Sequence, residues 1–417
     1  MSEKCIIYIS STNYNLVSAG TEKFMKGVMD LFEKEKVHSL HFFPLSNINN
    51  KLQKLGIEKN YIGINCDGAF IGIYLLDDMV AAVKFVADKY NFEFDRIIVN
   101  QLHLWNLSKL TKMFELLELP IFLVVHDYMM ICPYMMEKDS NTLECGRNID
   151  KPSAHRCGKC KYATVEKVHF KNFVSFLEDN RERICRVVFP SDSSKQNWIN
   201  VFPYLSESSI IRSHLKYNIL KEDRSLNKKI RIGYLGHISD IKGYSEWLKL
   251  MRCLDDKNFE FYYFGGDVKQ AERDGAKGIY VNFNLKKLPS MVEQLKFNNI
   301  DIAFLWSNCQ ETYSYTYYEA FEAGCWIVTS FHSGNITDQV LKNKNGKVFK
   351  NVDECIDYLN GLKGNISTAR IVNVKNNSSL TEFMPQQNVV FNNINKIESK
   401  RPDFVMSYLY SNLRGIK

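Results

Sequence analysis

The stretch Glu311-Thr-Tyr-Ser-Tyr-Thr-Tyr-Tyr-Glu-Ala-Phe-Glu-Ala-Gly324 lies between two short apolar runs, Ile302 to Leu305 and Cys325 to Val328. Runs of that length suit buried strands, and the spacing between them predicts a helix from Tyr315 to Ala323. Strand, helix, strand in this order is the unit of a parallel α/β sheet. Upstream, the pattern repeats through runs at Ile230 to Leu235, Glu260 to Phe264 and Gly278 to Val281. An earlier series runs through Cys5 to Ser10, Ile71 to Leu76, Arg96 to Val99, Ile121 to Val125 and Val187 to Phe189, with a helical pattern from Thr21 to Glu35. Each run is far enough from the next for a crossover helix. The polar stretch Lys221 to Lys229 has no apolar periodicity and divides the two series as a linker. The expectation is an α/β protein of two Rossmann-like domains facing across a cleft, residues 1–217 and 230–395, joined by 218–229. An amphipathic helix within 396–417 is expected to pack back on the N-terminal domain.

A chain of 417 residues accommodates two or three domains, and 45% hydrophobic against 24% charged residues excludes a disordered or fibrous protein. The sequence opens without a signal-peptide core, and no apolar run approaches the ~18 residues that span a bilayer. It therefore reads as cytoplasmic, with its eleven cysteines in a reducing compartment. The net charge of +7 is moderate. Between Arg147 and Arg186 ten Lys and Arg outnumber five acids, interleaved with Tyr162, Phe170, Phe173 and Phe176. That is either a solvated helix face with its aromatics in the core or a patch that meets an anionic membrane surface.

Four segments carry chemistry. Glu311 and Glu319 stand eight apart, one before the Tyr315 helix and one on it, so both can face a ligand above its N-terminus. Backbone N–H groups near Ser314 and Tyr315 are suited to phosphate oxygens there. After the Ile230 strand comes Gly236-His-Ile-Ser-Asp-Ile-Lys-Gly243, in which Gly236 permits close backbone approach and Lys242 supplies a point charge. Leu16-Val-Ser-Ala-Gly-Thr-Glu22 opens the first helix and offers Gly20, and His126-Asp127-Tyr128 follows the strand at Ile121.

Taken together these segments resemble the retaining glycosyltransferases of the GT-B fold, specifically glycosyltransferase family 4. The Glu-x7-Glu signature followed by Ala-x-x-Ala-Gly corresponds to that family's donor-site motif. The resemblance implies that Glu311 contacts the donor sugar and Glu319 the ribose, and that Lys242 neutralises the leaving diphosphate. It further implies that Gly20 lies under the donor phosphates and that His126 faces the reaction centre. His237 stands where the family has arginine, Ala19 replaces a glycine, and Tyr313 and Ser314 occupy a Phe-Gly position. The expected catalytic set is thus His126, Glu311 and Lys242. The donor-binding set is Gly20, Gly236, His237, Lys242, Tyr313, Ser314, Tyr315 and Glu319.

Cys132, Cys145, Cys157 and Cys160 form a separate cluster around one Cys-x2-Cys pair, a candidate structural zinc site, with His155 and His169 as substitute ligands. Four reduced, unliganded cysteines fit the spacing equally well, and the other seven read mostly as core.

The resulting expectation is a retaining hexosyltransferase that needs no metal for catalysis. Its donor is a UDP- or GDP-sugar, and its acceptor a saccharide or lipid-linked saccharide of bacterial surface polysaccharide or glycolipid synthesis. It would be cytoplasmic and peripheral on the inner face of the membrane, with no nucleic acid as partner. A nucleotide-sugar epimerase or phosphorylase on the same scaffold, and a zinc-dependent nucleic-acid-binding protein, remain as alternatives.

Overall fold

The computed structural model describes residues 3–17, 19–131, 163–282, 288–362, 365–377 and 397–414. The candidate zinc cysteines Cys132, Cys145, Cys157 and Cys160 lie outside the described residues.

The N-terminal domain is built on one eight-stranded sheet. Its strands are β1 Glu3–Ile9, β2 His38–Pro44, β3 Tyr61–Cys66, β4 Ala69–Leu75, β5 Phe92–Val99, β6 Ile121–Val124, β7 Ile184–Phe189 and β8 Ser209–Ile211. They run in the order β4-β3-β2-β1-β5-β6-β7-β8. β1 is parallel to both neighbours, pairing Ile7 with Leu40 on β2 and with Ile97 on β5. Helices cover both faces of this strand, so Cys5 to Ile9 are all fully buried and read as an unbroken apolar run. The helix Gly20–Lys34 shows why its sequence folds so: Phe24, Met25, Val28, Leu31 and Phe32 form one buried stripe.

One sequence expectation is corrected here, and a second gains a secondary structure. The run at Ile71 to Leu76 is not reached by a crossover: β3 and β4 form an antiparallel hairpin, and β3 is antiparallel to β2 as well. Asp67 and Gly68 turn that hairpin with φ of 46° and 79°, the positive pair that a two-residue Asp-Gly loop supplies. The polar stretch read as a linker is largely a strand. β9, Leu215–Ser225, pairs antiparallel along its length with β16, Asn365–Asn376. It lacks apolar periodicity because the ribbon leaves Ile219 and Leu220 exposed, while the partner strand buries Ala369 and Ile371.

The C-terminal domain holds a six-stranded, wholly parallel sheet of β10 Ile230–Leu235, β11 Phe259–Gly265, β12 Lys277–Tyr280, β13 Ile302–Phe304, β14 Trp326–Ser330 and β15 Gly346–Phe349. The order is β12-β11-β10-β13-β14-β15. One face packs Trp247, Tyr234, Tyr263 and Phe304, the other Phe264, Tyr317, Tyr318 and Phe321. The chain then returns to the first domain. The helix Phe404–Arg414 lies against β4, where the Ile73 N–H donates to Ser407 Oγ (2.8 Å) and Asp403 N–H donates to Ile73 O (2.8 Å). Tyr410 packs there on Phe43 and Phe70. Among the described residues no helix is long and apolar enough to cross a membrane.

Candidate active site

In each sheet the strand order reverses once, between β1 and β5 in the first and between β10 and β13 in the second. Crevices open at such reversals, outside the carboxyl ends of the strands, because the connections there leave to opposite sides. Asn100 follows β5, and the turn holding Lys242 follows β10. The loop Ser307 to Ser314 follows β13.

The second crevice is held rigidly. A short turn at Asp240–Lys242 is capped by Ser239, whose hydroxyl accepts from the Lys242 N–H. Asn308 ties this turn to the next loop, its N–H donating to Ile241 O (2.7 Å) and its amide to Asp240 O (2.8 Å). Gly243 follows in the left-handed region with φ of 74°, and a Cβ there would stand 2.0 Å from the Trp306 carbonyl oxygen. Across the crevice Glu311 Oε1 accepts from Lys242 Nζ and from Ser307 Oγ (2.8 Å). Desolvation acts to lower the Lys242 pKa, but the Glu311 carboxylate and Cys309 together outweigh it and the net shift is upward, so the ammonium stays charged. The Glu311 side chain is only 11% exposed and that of Lys242 47%, so the pair meets solvent through the lysine. Glu311 is fixed from behind by Gly334. That residue has φ of 58°, a Cβ on it would lie 2.5 Å from Glu311 N, and the neighbouring Asn335 N–H donates to Glu311 O (2.8 Å).

The helix predicted after Ser314 spans Tyr315–Glu322, with the Ser314 hydroxyl accepting from Tyr317 N–H (3.2 Å) as its cap. The Tyr315 and Thr316 amides therefore stand at its open end without an intrahelical acceptor. Glu319 projects from the second turn. Gly236 follows β10 with φ of 106° and lies beside Thr316, across from this helix start. His237, in contrast, turns outward. Its side chain is 76% exposed and its Nδ1 pairs with Asp267 Oδ2 at 2.9 Å, so it stands on the rim.

The first crevice faces the second. Thr312 Oγ1 donates to His126 O (2.6 Å), and Ser191 Oγ donates to Thr312 O (2.8 Å). Gly20, at the start of its helix, lies 3.7 Å from the Tyr315 ring measured from an ideal Cβ, an ordinary contact distance. The loop before it is pinned by buried polar groups. Trp105 Nε1 donates to Ser10 O (2.9 Å), and Asn65 Nδ2 donates to Asn13 Oδ1 (3.1 Å).

His126 Nε2 lies 2.9 Å from Asn100 Oδ1, to which a neutral ring protonated at Nε2 donates. Desolvation pushes its pKa down to about 3, so it is uncharged at neutral pH and can bond a hydroxyl but supplies no fixed charge.

Three groups were not singled out from sequence. His214 is 8% exposed, and its ring packs on Phe24, Tyr313 and Tyr315 at 4.4, 4.2 and 5.5 Å. Its Nδ1 has no partner among the described residues, and desolvation, with His126 nearby, holds its pKa well below the usual value. Nothing local in the sequence marks it. Lys23 reaches from the first helix to Glu319 Oε1 at 2.6 Å. Its signal was legible, since it lies three residues past Gly20 on the same helical face. Ser307 gives no signal beyond following a strand. Of the cysteines, Cys5, Cys66, Cys309, Cys325 and Cys355 are buried as expected, but Cys185 and Cys253 are exposed. Among the described residues no cluster of His, Cys, Asp and Glu is arranged to hold a metal.

Two Rossmann-like domains with facing crevices are shared with solved structures. The HepE protein of Anabaena, in complex with UDP-glucose, superposes with a TM-score of 0.51 at 12% identity, covering 86% of this chain and 89% of that one. The fold is GT-B. Sucrose-phosphate synthase from Thermosynechococcus elongatus gives a TM-score of 0.52 at 10% identity over 86% of this chain and 89% of its own. A glycosyltransferase from Rickettsia africae gives 0.50 at 10% identity, over 87% and 88% respectively. No protein-family model matches the sequence, and no curated protein does.

Proposed function

We propose that the protein is a glycosyltransferase that transfers a hexose from a nucleoside diphosphate sugar to an acceptor hydroxyl with retention of configuration. The observation that carries this reading is the convergence of Lys242, Glu311 and the capped start of the Tyr315 helix on the crevice where the second sheet reverses. In this reading the helix amides and Lys242 hold the diphosphate, Glu311 orients the sugar, and Glu319 takes the ribose hydroxyls. The bond from the anomeric carbon to the β-phosphate oxygen breaks as the acceptor oxygen bonds to the same face. The acceptor's proton passes to the departing phosphate. Positive charge and aimed N–H groups lower the barrier where the negative charge develops. Lys242 and those amides supply them without a divalent cation. His126, neutral, bonds a sugar hydroxyl. His237 on the rim has no part in the phosphate site, which departs from the family's arginine.

A uridine donor is supported by the HepE complex, which holds UDP-glucose. The acceptor is proposed to be a saccharide or lipid-linked saccharide of a surface polysaccharide, met at an anionic membrane surface by the basic stretch from Arg147 to Arg186. Failure to co-sediment with anionic liposomes overturns the membrane part. The donor reading is tested by incubating the protein with a panel of nucleotide sugars and measuring release of nucleoside diphosphate. Activity abolished in Glu311→Ala and Lys242→Ala is expected, and no binding of any donor at millimolar concentration sinks it.

A further inference from the structure

We propose that Lys23 is a second cation for the donor diphosphate, supplied by the N-terminal domain and exchanged between Glu319 and the phosphate. This rests on the donor-site reading above and names a residue that neither the motif nor the resemblance assigns.

Among the described residues, the ammonium that the C-terminal domain brings to the proposed phosphate site is that of Lys242, and Glu311 already holds it. His237, at the position from which a second charge is expected, is turned to Asp267 on the rim. A diphosphate leaving group carries about two to three negative charges, more than one lysine neutralises. Lys23 stands where the missing charge is needed. Its ammonium lies 4.6 Å from the centroid of the Tyr315 ring, and Tyr315 is the first residue of the helix whose amides would hold the phosphate. Gly20, one helical turn before it, lies against the same ring. Lys23 thus reaches the helix start from the opposite domain, on a flexible stem with three donors.

Its partner in the structure is Glu319 Oε1 at 2.6 Å, the carboxylate proposed for the ribose. The two roles are coupled. When ribose hydroxyls donate to Glu319, the carboxylate has less to offer the ammonium, and the diphosphate beside it has more. Binding of donor then replaces an ion pair between domains with a phosphate shared by both, so the nucleotide itself joins the two halves.

The test is calorimetric titration with UDP, GDP and ADP, without divalent cation, followed by titration of the tightest binder and its parent nucleoside into wild type, Lys23→Gln and Lys23→Arg. Lys23→Gln is expected to lose about tenfold or more in diphosphate affinity, as one charge-assisted contact predicts, with less than about twofold change for the nucleoside. Lys23→Arg is expected to restore most of the loss. The salt dependence of diphosphate binding should be shallower in Lys23→Gln than in wild type. Equal losses for nucleoside and diphosphate would show a structural role and overturn the proposal, as would an unchanged diphosphate affinity. If wild type binds none of the three diphosphates, the donor-site reading fails first and this proposal with it.

Discussion

Replacing Gly243 by alanine puts a methyl group where the Trp306 carbonyl oxygen stands. The ideal Cβ position is 2.0 Å from that oxygen, whereas real Cβ contacts stay beyond 3.0 Å, so the backbone on one side must move by about 1 Å, the difference of the two. The left-handed conformation at Gly243 adds about 1–2 kcal/mol for any residue with a Cβ, and the overpacking about 1–3 kcal/mol. The expected loss is therefore roughly 2–5 kcal/mol, a fall of about 4–20 °C in melting temperature for a domain of this size. Function should suffer more than stability. Lys242, proposed above to hold the donor phosphate, is the adjacent residue, and a displacement of about 1 Å at such a group can cost on the order of a hundredfold in rate. Gly266 is the control, because a Cβ there meets nothing within 4 Å and its φ is not positive. Scanning calorimetry and nucleoside diphosphate release on Gly243→Ala and Gly266→Ala measure both effects. A Gly243→Ala protein that melts and turns over like wild type would refute this account of the Lys242 turn. So would a Gly266→Ala protein equally damaged.

Acid should destabilise the protein earlier than its carboxylates alone would require. His41, His126 and His214 are desolvated and neutral in the fold, with His41 and His126 pushed down to about 3, while in the unfolded chain each protonates near about 6.5. The unfolded state binds more protons below that value, so stability is full above it and falls as pH drops toward about 3, by at most about 4 kcal/mol per unit for three sites. Urea melts across that range should show the slope, and His126→Gln should reduce it by about one proton. Thr312→Val removes the hydroxyl that bonds His126 O between the domains, leaving a carbonyl unpaired. It should cost about 1–2 kcal/mol in thermal unfolding. Ser307→Ala deletes a hydrogen bond to the Glu311 carboxylate and should lower turnover by about ten- to a hundredfold, short of the loss in Glu311→Ala.

The second sheet was largely readable in the chain because parallel strands buried on both faces are continuous apolar runs, and Ile230 to Leu235 or Ile302 to Leu305 stand out as such. Lys242 and Glu311 could be placed because each lies seven residues past the end of a strand, and Glu319 because it falls on the helix that follows. The hairpin at Asp67-Gly68 carried its signal in the dipeptide, yet spacing alone made β4 look like a crossover strand. β9 was hidden for a physical reason: a two-stranded ribbon with one face in solvent needs no apolar alternation. The orientation of His237 depends on Asp267, thirty residues away, and the position of His214 depends on the other domain. Such facts have no local trace.

The ribbon of β9 and β16 contains both described passages of the chain from one domain toward the other, zipped into one ladder. It rides on the C-terminal domain through Ala369 and Ile371. At its far end Asn377 N–H donates to His214 O (2.9 Å), and its amide donates to Ser213 O (2.8 Å). A rotation of one half against the other must bend both strands together, beside His214. The pivot then lies at the cleft's aromatic floor, where His214 touches Phe24 of one half and Tyr313 of the other. Rings near the axis sweep short arcs, and the distant lips sweep long ones. Opening would widen the rim while leaving the floor almost undisturbed.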